Sequence, residues 1–449
     1  MKTIVFSKMK FLGFLLFFCS IILLQFIGQA NAVNGIPTFS DKLIKGPSWK
    51  DSPPGEISGW DQPQYYSTIG FPDINGDGNA DACARGSVYI QCFLSDGMGF
   101  PGSQIRGPQW EDGPVTAWNL IQYYSTIQYP DINGDKKADV CARYKDGIIC
   151  YLSNGNGFDL DHLITGPAWK DGPSGSTDGW DQPQYYSTIQ FPDINGDQKA
   201  DVCGRSKDGI ECYISNGTGF STTLIKGPAW KDSNGWDQPK YNSTIQFPDI
   251  NGDKNADVCG RSKDGIECYI SDGTEFSTTL IRGPAWKDGP SGSTNGWDQP
   301  QYYSTIQFPY INSDEKADIC GRSKDGINCY LSNETGFSAT LINGPAWKDS
   351  NGWYHQQYYS TIRFPDINGD GFSDACARGY LHIECFVNGG SNFIRQQIKG
   401  PEWSTKVNWN LPQYNSTIEY PDINGDKNAD ICGRYKDGIE CYLSVVPPN

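Results

Sequence analysis

Phe191-Pro192-Asp193-Ile194-Asn195-Gly196-Asp197-Gln198-Lys199-Ala200-Asp201 is the stretch on which the fold turns. Asp193, Asn195, Asp197 and Asp201 bring side-chain oxygens together within nine residues, and Gly196 permits the tight bend that converges them. Unpaired, these carboxylates repel one another. Calcium accepts about six to eight oxygen ligands in a forgiving geometry, so the loop suits it. The spacing opens like an EF-hand loop but lacks that motif's Glu at the end. Pro192 and the strand-like run Ala200-Asp201-Val202-Cys203 set it between two strands instead of two helices. The same residue types also build Asx turns with no metal, and it is the recurrence of the pattern that favours calcium.

The loop recurs. Copies begin at Asp73, Asp131, Asp193, Asp249, Tyr310, Asp366 and Asp422, seven in all and 56 to 62 residues apart. In the third copy, residues 186–191 are rich in β-branched and aromatic side chains and lead into the loop. Residues 200–205 and 210–215 flank the turn Ser206-Lys207-Asp208-Gly209, a hairpin signal. Residues 220–226 end at Gly227-Pro228 and make a fourth strand-like segment, and no helical periodicity is evident. Four antiparallel strands per repeat, seven times over, predict an all-β, seven-bladed β-propeller. The chain opens with an orphan strand at 39–45 and stops after residues 441–444, so the N-terminal strand is expected to complete the last blade and close the ring.

At the N-terminus, Lys2, Lys8 and Lys10 precede an apolar run from Phe11 to Ile27, and Ala30-Asn31-Ala32 offers a small-residue cleavage site. Residues 1–32 read as a secretory signal peptide and 33–449 as the propeller, which implies an extracellular protein; an uncleaved anchor is the competing reading. Loss of three lysines would take the net charge from −16 to −19. So acidic a surface repels phosphate backbones and argues against nucleic acid as a partner. Sequons at Asn216, Asn242, Asn333 and Asn415 are compatible with a secreted glycoprotein.

Cys19 lies in the signal segment. The other cysteines pair at one spacing: Cys83 with Cys92, Cys141 with Cys150, Cys203 with Cys212, Cys259 with Cys268, Cys320 with Cys329, Cys376 with Cys385 and Cys432 with Cys441. A four-residue turn sets each pair opposite across a hairpin, which predicts seven structural disulfides in an oxidising compartment.

The run Phe-Pro-Asp-Ile-Asn-Gly-Asp-x-x-Ala-Asp-Val-Cys, followed by Cys-Tyr-Ile-Ser-Asn-Gly-Thr-Gly-Phe up to Phe220, resembles the FG-GAP or VCBS repeat. That family includes the integrin α-subunit propeller and a seven-bladed fungal lectin. The resemblance implies calcium at Asp73, Asn75, Asp77 and Asp81; at Asp131, Asn133, Asp135 and Asp139; and at Asp193, Asn195, Asp197 and Asp201. It implies the same at Asp249, Asn251, Asp253 and Asp257; at Asp366, Asn368, Asp370 and Asp374; and at Asp422, Asn424, Asp426 and Asp430. The fifth copy departs, with Tyr310 for the first Asp and Ser313 for the Gly, so about six Ca²⁺ sites are expected and the fifth is degenerate.

All fourteen tryptophans fall in the connections between repeats. One reading has them fill the gaps between blades. The other makes Trp-Asp-Gln a sugar site, with indole against a pyranose face and the polar groups on its hydroxyls. On that reading the ligand residues are Trp60, Asp61 and Gln62; Trp180, Asp181 and Gln182; Trp236, Asp237 and Gln238; and Trp297, Asp298 and Gln299. His162, His355 and His382 lie in different repeats, which argues against a hydrolase triad. The expected function is a secreted, calcium-stabilised, multivalent carbohydrate-binding protein acting on glycans or glycoproteins. An adhesion or protein-interaction propeller is the alternative, and a polysaccharide lyase the third reading.

Overall fold

A computed structural model describes residues 36–333, 335–390 and 392–447. The expected signal peptide, residues 1–32, and Cys19 lie outside the described residues. In the third copy, Gln182 is extended and Pro183 takes the first position of a single helical turn, Pro183–Tyr186. Ser187 Oγ donates to the Pro183 carbonyl at 2.6 Å and Thr188 Oγ1 to that of Tyr185 at 2.7 Å, which holds the turn shut. The expected strand at 186–191 is therefore absent. Only Gln190 reaches the sheet, as a lone bridge to Cys203. A helical turn of this kind precedes every loop, although no helical period marks it in the sequence.

Val202–Ser206 and Gly209–Tyr213 form the expected hairpin, with Cys203 opposite Cys212, and Ile225–Lys226 adds an antiparallel third strand. The last expected strand is shorter than 220–226, because Ser221 Oγ accepts the Thr223 amide and bends the chain out of the ladder. Among the described residues seven such three-stranded sheets recur, so each repeat carries three strands and not four.

All seven expected disulfides are formed, one across each hairpin. Cys83 is bonded to Cys92, Cys141 to Cys150, Cys203 to Cys212 and Cys259 to Cys268. Cys320 is bonded to Cys329, Cys376 to Cys385 and Cys432 to Cys441. Every one of these cysteines is fully buried between its sheet and a neighbour, so the bridges clip the fold and offer no thiol to a ligand. In the chain-entropy account each ten-residue loop so closed contributes roughly 2–3 kcal/mol.

Each apolar cluster is shared by two neighbours. Ile194, Ile210 and Trp230 of the third copy pack with Ile245, Val258 and Phe276 of the fourth. Backbone bonds follow the same order: the Ala200 amide donates to the Asp131 carbonyl and Ala256 to Asp193, each at 2.8 Å, and Ala80 of the first copy donates to Asp422 of the seventh. Ile44–Lys45 pairs with Gly438–Tyr442, Ile44 facing Cys441, so the N-terminal strand supplies the third strand of the seventh sheet. Thr38–Phe39 extends this pairing onto Ser444–Val445.

Every hairpin also buries an arginine. Arg322 is fully buried; its Nη1 donates to the Trp347 carbonyl at 3.0 Å and to Asp349 at 2.8 Å, and its guanidinium lies over the Tyr302 ring. Tyr302 donates its hydroxyl to the second oxygen of Asp349 at 2.5 Å. Of the four sequons, Asn216 and Asn333 are exposed, whereas Asn242 and Asn415 are buried and closed to a glycan.

Candidate binding sites in the loops and between repeats

The sequence singled out two constellations, the acidic loops and the tryptophan connections, and Ile194 of the third loop packs in one core cluster with Trp230 and Trp236. The acidic loops come first. Gly196 has φ +69°, which supplies the expected bend, and Gln198 is also left-handed at φ +66°. Asp193 accepts the Gln198 amide at 2.8 Å, and Asp197 accepts the Lys199 amide and ammonium, each at 3.0 Å. Asp201 is fully buried, one oxygen taking the Ile194 amide at 2.9 Å and the other the Ser215 amide at 2.7 Å. Ser215 Oγ in turn donates to the Ile132 carbonyl of the preceding copy at 2.6 Å. Burial pushes Asp201 up to about 7 against those two amide bonds, and the Asp193 and Asp197 charges add to the rise.

Among the described residues no group of three or more His, Cys, Asp or Glu side chains is arranged to hold a metal ion. The loop side chains cap their own backbone, and a cation has to compete with those amide bonds. The donor chemistry nevertheless fits a hard divalent ion: the Asp193 and Asp197 charges act on Asp201, and Asn195 in the same loop adds an amide oxygen. In the fifth copy Tyr310 is exposed, Ser313 is not left-handed, and Asp318 rises only to about 6, chiefly through burial.

The tryptophans stack in pairs across each connection. Trp169 lies on Trp180 and Trp286 on Trp297 with centroids 4.1 Å apart, and Trp230 lies on Trp236 at 4.2 Å. Trp180 and Trp236 are buried, Trp60 and Trp297 half-buried. The neighbouring acids serve the inserts. Asp61 accepts the Ser52 amide and hydroxyl, Asp181 the Gly172 amide and Asp298 the Gly289 amide, while Gln62, Gln182 and Gln299 donate to those same acids. The fourth connection has no insert, and its Asp237 and Gln238 are exposed.

A cavity of about 380 Å³ opens where the third repeat meets the fourth. Trp230, Trp236 and Tyr241 form its aromatic wall; Asn234 and, from the hairpin of the fourth copy, Lys263 and Glu267 bring polar groups to it. Trp230 Nε1 is buried without a hydrogen-bond partner, as are the equivalent nitrogens of Trp49, Trp169 and Trp403. Of the predicted ligand residues, Trp236 lines this cavity. Lys263 and Glu267 were not singled out from sequence, although the half-buried position just before the second cysteine of each hairpin, held by Glu211, Glu267, Glu384 and Glu440 in four copies, is a readable signal.

No family model matches this chain, and no curated protein matches it in sequence. In structure it is similar to an Agrocybe aegerita lectin described for specific recognition of non-reducing terminal N-acetylglucosamine, at 17% identity and TM-score 0.60, over 82% of this chain and 85% of that one. It also matches the β-propeller domain of Myceliophteria thermophila Cps50 (Swd1), at 7% identity and TM-score 0.44, over 91% of this chain and 99% of that one. The likeness to the lectin is one of fold, and that fold is a β-propeller. The loops' likeness to FG-GAP or VCBS repeats remains a resemblance of motif.

Proposed function

We propose that this protein is an extracellular, multivalent carbohydrate-binding propeller whose seven sheets close into a ring and whose acidic loops take up calcium. The observation that carries the reading is the cavity between the third and fourth repeats, where Lys263 and the carboxylate of Glu267 share a wall with the stacked rings of Trp230 and Trp236. A hydroxyl-rich ring with an apolar face satisfies both kinds of surface. Related walls in other connections would give avidity from modest single-site affinity. The fold shared with a lectin supports this use of the scaffold, and the seven disulfides support action outside the cell. Among the described residues no helix is long and apolar enough to cross a membrane.

In the loops, Asp73, Asn75, Asp77 and Asp81 and their counterparts in the second, third, fourth, sixth and seventh copies would hold the ion, which would neutralise carboxylates that burial leaves costly. The fifth copy lacks the first of them. A glycan array run with and without chelator tests the whole reading: binding that Glu267→Gln weakens at least tenfold supports it, and an array with no glycan retained sinks it. Elemental analysis of the dialysed protein should return about six calcium ions per chain. A count of zero makes the loops Asx turns only. One observation favours an adhesion or protein-interaction propeller instead: the stacked indoles bury most of their faces against each other. A blank array with retained binding to a protein partner would decide for it.

A further inference from the structure

The sixth repeat breaks the arginine motif. In the other six copies the buried guanidinium meets a carboxylate: Arg85 with Asp112, Arg143 with Asp171, Arg205 with Asp232, Arg261 with Asp288, Arg322 with Asp349 and Arg434 with Asp51. Where Lys348-Asp349-Ser350 stands in one connection, Ser404-Thr405-Lys406 stands in the next. Arg378 is nonetheless as deeply buried as its counterparts. Its Nη1 reaches the Gly379 and Trp403 carbonyls, each at 3.2 Å, and its Nη2 the Gln357 carbonyl at 3.3 Å. Thr405 Oγ1 stands off at 3.4 Å, and Nε has no partner, as in Arg85, Arg143, Arg205, Arg261 and Arg322. Tyr358 keeps its place 5.2 Å from the guanidinium but has no carboxylate to receive its hydroxyl. Burial, opposed only by the charge of Tyr358, pulls Arg378 down to about 10, still a cation at neutral pH.

We propose that the sixth repeat is a binding site for an external carboxylate, which takes the place of the missing aspartate between Arg378, Tyr358 and Thr405. Three features support it. The fold keeps both donors that the aspartate serves elsewhere, a guanidinium and a phenol. The aspartate position is reachable, since Asp349 is 29% exposed in the fifth copy and Thr405 is half-buried in the sixth. Lys406, exposed beside it, adds positive charge at the mouth. A buried cation held only by neutral dipoles is left short of charge compensation, which a carboxylate supplies together with bidentate hydrogen bonding. The source is either a small free carboxylate or the acid group of an acidic sugar.

The test is thermal unfolding of the mature chain at constant ionic strength, with a bulky sulfonate as background anion and with acetate, glucuronate or neutral glucose added. Wild type should show a saturable rise of several degrees with acetate and none with glucose. Thr405→Asp should start higher and lose the response. Asp349→Thr, which copies the defect into the fifth repeat, should gain a second responsive site. Saturation by glucuronate at tenfold lower concentration than acetate identifies an acidic sugar as the source, and equal midpoints identify a free carboxylate. No anion response in wild type, or an equal response in Thr405→Asp, overturns the proposal. These readouts are of stability and do not depend on neutral glycan binding at the interface cavities.

Discussion

Asp318 separates what one residue does for the fold from what it does for a metal. It occupies the last acidic position of the loop in the one copy that lacks the first carboxylate, and it accepts the Ile311 amide at 2.8 Å and the Ser332 amide at 2.7 Å while fully buried. Asp318→Ala orphans both amides, at a cost of about 2–4 kcal/mol, measurable as a lowered urea midpoint that calcium does not restore. A midpoint unchanged from wild type would show that water reaches these groups. Gln198 makes the opposite case. Its φ of +66° costs a non-glycine residue about 1 kcal/mol, part of which glycine's greater unfolded entropy cancels, so Gln198→Gly should raise stability by roughly 0.5 kcal/mol. The acidic positions were legible from their spacing, and so was the bend at Gly196. That the last Asp turns inward onto two amides was not, because one of its partners, Ser215, lies 14 residues downstream across a hairpin whose path the loop alone does not specify.

At the scale of an element, the repeating unit of stability is the triad of buried arginine, aspartate and tyrosine. Burial, with the hydrogen bond to Asp349 and that group's charge, pushes the Tyr302 hydroxyl up to about 12; Tyr65 and Tyr185 are raised to the same value for the same reasons. The folded state thus holds these protons more tightly than the unfolded chain, whose tyrosines titrate near 10. The triads stabilise the fold fully below about pH 10 and lose that contribution as pH rises from about 10 to about 12. Absorbance at 295 nm should show tyrosines that ionise only together with unfolding. Tyr302→Phe should narrow that alkaline margin and cost about 1–2 kcal/mol at neutral pH. Free titration of every tyrosine near pH 10 in the native state would refute the account. The hairpins and their cystines could be read from turn and spacing. The helical turn Pro183–Tyr186 could not, since its β-branched and aromatic neighbours imitate a strand and only Pro183 with the back-bonding Ser187 and Thr188 reveals it.

For the molecule as a whole, the first and seventh copies are in contact although they lie far apart in sequence. Ser95 Oγ of the first copy donates to the Ile423 carbonyl of the seventh at 2.6 Å, and Ile44, Trp49 and Ala82 share a core cluster with Ile423 and Ile439. The pairing of Ile44–Lys45 with Gly438–Tyr442 was foreseeable, because residues 39–45 read as a strand without a hairpin and residues 432–441 as a hairpin without a third strand. A chain beginning at Gly46 lacks the strand Ile44–Lys45 and leaves Gly438–Tyr442 with a bare edge. Removing the buried Ile44 side chain and its two ladder positions should cost about 3 kcal/mol or more. Beyond that loss, the exposed edge should drive self-association visible in sedimentation, and a synthetic peptide of residues 36–45 should restore both the melting temperature and the monomer. If the shortened chain instead melts like the full one and stays monomeric, the seventh sheet stands without its N-terminal strand, and the pairing of the chain ends contributes nothing to stability.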